Sequence, residues 1–297
     1  MTHGLVVLLA LLAAICMAIG IVVRQRATMD VPHEHGVSTT MITTLLRKRL
    51  WWIGTGVAVA GFAFQALALT KGSLLVVQPL LVSSLLFALP LSARLADRKV
   101  TTAEWLWALL LTLGLAAFVL LARPRPGNYD HHPLAWAVLA VVLVPLVAVC
   151  VFVGQRVTGR PRAILIAASV GILFGVVAVL TKLITHTVAT DGVVAMLRLP
   201  ALYLVIVVGV VATLLQQSAF HAGALQWSVP TMLVLEPAAA VLLGSLIFEE
   251  HITATGMRAV AFVLAIVVMA AATIALGRDE GAYEDRLEAE FAKRRAG

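Results

Sequence analysis

Few side chains in this sequence could do chemistry in an apolar setting, and most of them fall between positions 213 and 250. Thr213, Gln217 and His221 recur every fourth residue, with Gln216 beside them. That spacing puts the three on one face of a helix. A short uncharged gap follows, and then an apolar run with a carboxylate, Glu236, near its middle. An acid at that depth costs about 3 kcal/mol or more unless it faces protein or water. A polar stripe beside a carboxylate could line a cavity that binds a polar substrate or carries a proton. The plainer alternative is that Gln and Thr act as interhelical hydrogen-bond glue, worth about 0.6 kcal/mol each. That alternative comes first for Gln65, Gln78 and Thr213. For Glu236 the functional reading comes first, because a lone carboxylate is a costly glue. It could take up a proton, pair with a cationic substrate, or answer a basic group such as Lys182. Lys182 itself lies in the outer third of its apolar segment, where the expectation is that it snorkels to the interface.

The elements that position these residues follow from composition. Of 297 residues, 61% are hydrophobic and 12% charged, against about 25% charged in a soluble chain. The charges cluster, leaving uncharged runs long enough to cross a bilayer, which takes about 20 residues. The expectation is an all-α membrane protein with nine transmembrane helices, over 5–23, 52–69, 74–91, 105–121, 133–153, 164–184, 202–219, 229–248 and 257–276. The break at 71–73 is short, so the second and third spans should form a tight helical hairpin. The first apolar run is too long for a signal-peptide core and lacks a basic lead, so it is read as the first span. Arginine and lysine concentrate at 24–50, 94–99, 156–162 and 278–295. By the positive-inside bias these are cytoplasmic, which puts the N-terminus outside and the C-terminus inside a plasma membrane. The net charge of +7 is then explained by lipid-facing basic loops, and no nucleic-acid partner is expected.

Several features are assigned no chemistry. Cys16 and Cys150 lie in apolar runs and are read as small core residues, not a disulfide. His33-Glu34-His35 and Asp130-His131-His132 sit in loops and lack the further ligands that a metal site needs. Gly171 and Gly175 form a small-xxx-small pair for close helix contact. Pro79, Pro230 and Pro237 fall inside helical segments, where kinks and freed carbonyls can shape a cavity or a hinge. The segment 284–295 reads as a short amphipathic helix on the cytoplasmic surface. No phosphate loop, zinc-protease motif or paired-cysteine pattern occurs. No cofactor, metal or enzyme activity is therefore expected.

Two stretches repeat an order. Gln65, Pro79, a charged turn (Asp97, Arg98) and Thr101 are echoed by Gln216 or Gln217, Pro230, Glu249-Glu250 and Thr253. The offset is 151 residues at the prolines and 152 at the threonines. Spans one to four (1–125) would match spans six to nine (161–277), with a connecting helix (126–160) between them and a tail at 278–297. One connector forces the two four-helix repeats into opposite orientations. Inverted repeats of this kind mark secondary transporters, whose sites lie near the midplane.

The segment Leu235-Glu236-Pro237-Ala238-Ala239-Ala240, continued by Phe248-Glu249-Glu250-His251-Ile252-Thr253, resembles the penultimate helix of EamA-type members of the drug/metabolite transporter superfamily. Trp51-Trp52, Gly54, Gly61 and Gln78-Pro79-Leu80 resemble its NIPA-type magnesium-transporter branch. That branch has a glutamate after the glycine matched by Gly61, where this chain has Phe62, so the resemblance does not carry magnesium activity over. It implies an alternating-access transporter. The expected cargo is a small polar metabolite or a lipid-linked polar group, with Glu236 contacting or coupling and Gln216, Gln217, His221, Gln65 and Gln78 along the route. Divalent-cation transport and a non-transporting scaffold subunit are the alternatives. A homodimer is compatible with either.

Overall fold

The computed structural model describes residues 2–29, 47–95, 99–121, 124–125, 133–220, 225–252 and 255–296. The chain is built of helices. In order they are α1 (Thr2–Met29), α2 (Arg49–Lys71), α3 (Leu74–Leu81), α4 (Ser84–Leu95), α5 (Thr102–Leu121), α6 (Pro133–Arg156), α7 (Arg160–Asp191), α8 (Val193–Arg198), α9 (Pro200–Phe220), α10 (Leu225–Ile247) and α11 (Met257–Ala296). Two dipeptides, β1 (Pro124–Arg125) and β2 (His251–Ile252), pair antiparallel between the loops that follow α5 and α10.

Among the described residues, seven helical segments are long and apolar enough to cross a membrane: His3–Val23, Arg49–Lys71, Leu74–Arg94, Thr102–Leu121, Arg160–Asp191, Trp227–Ile247 and Met257–Asp279. Ala140–Arg156 and Pro200–Gln216, at the expected fifth and seventh spans, are shorter apolar helices. Large apolar side chains such as Leu113, Val142, Leu242 and Val263 are more than half exposed. In a chain with so many long apolar helices, these faces meet lipid instead of water. The protein is embedded in the membrane.

Two elements differ from the sequence expectation. The third span is broken, not continuous. Between α3 and α4 the amides of Val82, Ser83, Leu85 and Leu86 each bond to the carbonyl three residues back instead of four. Pro79 and Pro90 each withhold an amide from this span. The tail is not a separate surface helix. α11 runs unbroken through 40 residues to Ala296.

The core is held by small residues at helix crossings. A Cβ on Gly175 would come 2.6 Å from that of Ala239, and one on Gly171 would come 2.8 Å from that of Leu235, so α7 lies directly on the backbone of α10. The expected role of this glycine pair is met. α1 and α2 approach equally closely. A Cβ on Gly20 would meet Ala58 at 2.8 Å, and one on Gly61 would meet Met17 at 3.0 Å. In lipid no hydrophobic force draws helices together, so such backbone approach and its dispersion contacts carry the association. At the start of α5, Thr101 and Glu104 form a capping box. The Thr101 amide donates to Glu104 Oε2 at 2.7 Å, and the Glu104 amide donates to Thr101 Oγ1 at 3.2 Å. Its repeat counterpart, Thr253, lies outside the described residues.

Replacing Gly175 by Leu should therefore lower the thermal unfolding midpoint of the detergent-solubilised protein, by an overpacking cost of about 1–3 kcal/mol or more. Gly209→Ala, where an added Cβ meets nothing within 4 Å, should leave the midpoint unchanged in the same assay.

Candidate functional site

α2 and α3 meet at a two-residue turn, Gly72-Ser73. A turn so tight brings the last carbonyls of one helix and the first amides of the next to the same place, without helical partners of their own. Among apolar helices those groups must be satisfied by protein. Both are served by side chains from the far half of the chain. Lys182, on α7, donates from Nζ to the carbonyl of Leu69 at 2.7 Å and to that of Gly72. Glu250, just after α10, accepts the Leu74 amide on Oε2 at 2.8 Å. Lys182 Nζ and Glu250 Oε1 lie 3.9 Å apart, with the side chains 4% and 0% exposed. The cation therefore sits at the negative end of α2 and the anion at the positive end of α3, each favoured by the helix dipole it faces.

Local chain geometry delivers Glu250 to this position. Glu249 adopts the left-handed conformation, φ 55°, which ends α10 and turns the next residue back toward the bundle. Gly244 makes room, since a Cβ there would come 3.1 Å from Leu74 and 3.6 Å from Glu250 Oε2. Lys182 thus does not snorkel. It is 3% exposed and its ammonium is spent on two carbonyls and a carboxylate. Nor does it answer Glu236, because Glu250 takes that place. Sequence reasoning had treated Glu250 as the polar end of a span. The available signal was the pair itself, one lysine inside a span and one acid at a span end on the same side.

Glu236 occupies a different environment. It lies on the stripe of α10 that carries Met232, Ala240, Leu243 and Ile247, all buried. The opposite face, with Ala238, Leu242 and Leu246, is exposed. Glu236 itself is half-buried, and its carboxyl makes no hydrogen bond or ion pair with a described residue. Glu236 is thus an acid without a described partner on an inward stripe. The depth of the acid follows from α3, which starts beside the C-terminal end of α10 and packs back along it. Glu236 and the break at Val82-Ser83 each lie eight residues from the Gly244–Leu74 contact, about 12 Å along their helices. The acid and the broken helix share one level.

Other sequence candidates scatter around this level. Gln78 and Gln65 are 1% and 6% exposed, and the Gln78 Nε2 and Gln65 Oε1 atoms find no hydrogen-bond partner among the described residues. Ser83, at the break, is 2% exposed with its hydroxyl likewise unpartnered; the sequence reading had passed it over. Gln216 is half-buried, with Nε2 4.0 Å from the sulfur of Met232 on α10. Thr213 is exposed and donates to its own helix at the Gly209 carbonyl, 2.8 Å away. It therefore stands on the outer face and not along a route. His221 lies outside the described residues, as do both histidine-containing loops, and the Gln217 side chain is likewise not described. Pro79 lies within α3, and Pro230 and Pro237 within α10, as expected. Cys16 and Cys150 are free thiols. Among the described residues no three His, Cys, Asp or Glu side chains gather. A shallow groove of about 460 Å³, lined by Thr187, Asp191 and Arg198 among others, lies at the end of α7 away from Glu236.

The fold and the buried polar groups define a multi-span helical membrane protein. No family model matches the chain, and no solved structure does. An uncharacterized protein of Corynebacterium glutamicum is 35% identical over 275 residues, which cover 92% of this chain and 95% of that protein. The chain belongs to the same family as that protein.

Removing one partner of a buried ion pair costs about 3–5 kcal/mol, because the other charge is stranded. Lys182→Met should thus lower the thermal midpoint strongly. The double variant Lys182→Met with Glu250→Gln should recover part of the loss, since it leaves no lone charge and keeps an acceptor for the Leu74 amide. Equal midpoints for the single and double variants would show that the two side chains are not coupled.

Proposed function

We propose that the protein is a secondary transporter of the drug/metabolite type. Nine spans, in two inverted four-helix units joined by α6, would work by alternating access. α6 and α9, whose apolar stretches are shorter, would complete the nine, with the N-terminus outside and the C-terminus in the cytoplasm of a plasma membrane. The observation that carries this reading is the coincidence of Glu236, an acid without a described partner on an inward stripe, with a broken span at the same depth. Discontinuous helices at the midplane are how transporters of this architecture build sites, because the freed backbone groups can serve a polar cargo. Gln65, Gln78 and Ser83 add buried polar atoms with bonding capacity to spare. The cargo would be a small polar metabolite or a lipid-linked polar group, with Glu236 as the contact or coupling acid.

The same reading gives the Lys182–Glu250 cluster a mechanical role. Its bonds to backbone all join the two halves: Lys182 to Leu69 and Gly72, and Glu250 to Leu74. The β1–β2 pairing does the same at the loops. The conformation described here is then closed at that end, and opening would exchange these bonds for water.

The test needs no known cargo. In a background where Cys16 and Cys150 are Ala, Glu236→Cys should react with a charged, membrane-impermeant thiol reagent in sealed membranes. The labelled side should change when Lys182→Met and Glu250→Gln loosen the closed end. Leu242→Cys, on the lipid face and 61% exposed, should resist the reagent throughout. A Glu236→Cys thiol that reacts from neither side would sink the transport reading.

A further inference from the structure

Far from the Lys182–Glu250 cluster, two helices bring positive charge to an indole on a third. Trp227, in the first turn of α10, has the guanidinium carbon of Arg160 3.3 Å from its ring centroid and that of Arg278 4.6 Å away. Arg160 opens α7, and Arg278 lies on α11, one residue beyond Gly277, whose backbone packs against Pro230 of α10. The two guanidinium groups are therefore within about 8 Å of each other. Neither makes an ion pair with a described residue. The N-terminal end of α7 adds its own positive partial charge.

Cation–π stacking on Trp227 fixes the planes of both guanidinium groups but leaves their N–H edges unused. Like charges brought to one ring repel, and a bound anion relieves that repulsion. Arginine forks match the spacing of phosphate oxygens, and the side chains are already ordered by the ring, so less freedom is lost on binding. The cluster also sits at the ends of three apolar helices, at the level where a bilayer presents its headgroups.

We infer that Arg160 and Arg278, stacked on Trp227, form a binding site for a phosphate-type anion, carried either by a lipid headgroup or by a free phosphate. Occupancy ties the start of α7 to α10 and α11, so it stabilises that end of the bundle. This inference does not depend on transport. It stands or falls on binding alone.

The purified full-length protein in detergent should gain several degrees of thermal midpoint on adding phosphatidylglycerol, and much less with phosphatidylcholine. The same comparison with inorganic phosphate separates the sources. A matching gain assigns the site to free phosphate, and no gain assigns it to lipid. Arg160→Gln with Arg278→Gln should abolish the gain. Arg47→Gln with Arg49→Gln, which removes the same charge elsewhere, should keep it. Native mass spectrometry of the unaltered protein gives a second measure, with retained phosphatidylglycerol expected to exceed phosphatidylcholine several-fold. Equal gains in both double variants would reduce the effect to diffuse attraction and overturn the site. So would the absence of any gain or retention with both phosphatidylglycerol and phosphate.

Discussion

Backbone polar groups cannot be left unpaired among apolar helices, and the Gly72-Ser73 turn is where this chain meets that constraint most sharply. α2 ends and α3 begins within two residues, so terminal carbonyls and amides arrive together. Lys182 and Glu250 satisfy them from the other half of the protein. Much of the geometry follows. α7 must bring a lysine to the end of α2. α10 must stop at Phe248, with Glu249 in a left-handed conformation, so that Glu250 can turn inward. Gly244 must stay small so that Leu74 can lie against α10. The pair is a weak source of net stability, because burying two charges offsets most of their attraction. What it fixes is register: one arrangement of the halves gives the Leu69 and Gly72 carbonyls and the Leu74 amide their partners, and a slip strands all three at once.

Elsewhere the halves are built by the opposite means. α1 on α2, and α7 on α10, approach backbone to backbone through Gly20, Gly61, Gly171 and Gly175. These crossings depend on shape alone, since lipid tails are as apolar as leucine. The polar hairpin and the small-residue crossings divide the work. The crossings make rigid pairs, and the hairpin cluster joins pair to pair at one end. Interfaces of these two kinds differ in how they respond to water. A packed crossing gains nothing from it, whereas a polar cluster can trade its partners for hydration.

Much of the scaffold was legible in the sequence because a bilayer permits few solutions. Long uncharged runs had to be helices, the two-residue break had to be a hairpin, and Gly171 with Gly175 had to be a crossing. The break at Val82-Ser83 was not legible. Pro79 signalled an irregularity, but the three-back bonding that ends α3 depends on packing around it. Lys182 was misjudged for a related reason. Its depth allowed snorkelling, and only the fold shows that two carbonyls and an acid lie nearer than the interface. Thr213 carried the right spacing for a polar stripe, but helical spacing sets a face without saying which way the face looks. The arginines around Trp227 were counted as topology signals; their convergence needed three elements to come together.

The unbroken length of α11 has a consequence for how the membrane part communicates with its surroundings. Forty residues at 1.5 Å each span about 60 Å, roughly twice the hydrocarbon thickness of a bilayer. About half of that rod must therefore stand clear of the apolar layer. It has no hinge where it leaves, because the helix continues through Gly277 and Gly281. A tilt of roughly 10° in the embedded half would swing the far tip by about 5 Å. The last helix is thus a lever whose outer arm reports, as a lateral displacement, any reorientation of the bundle it is anchored in.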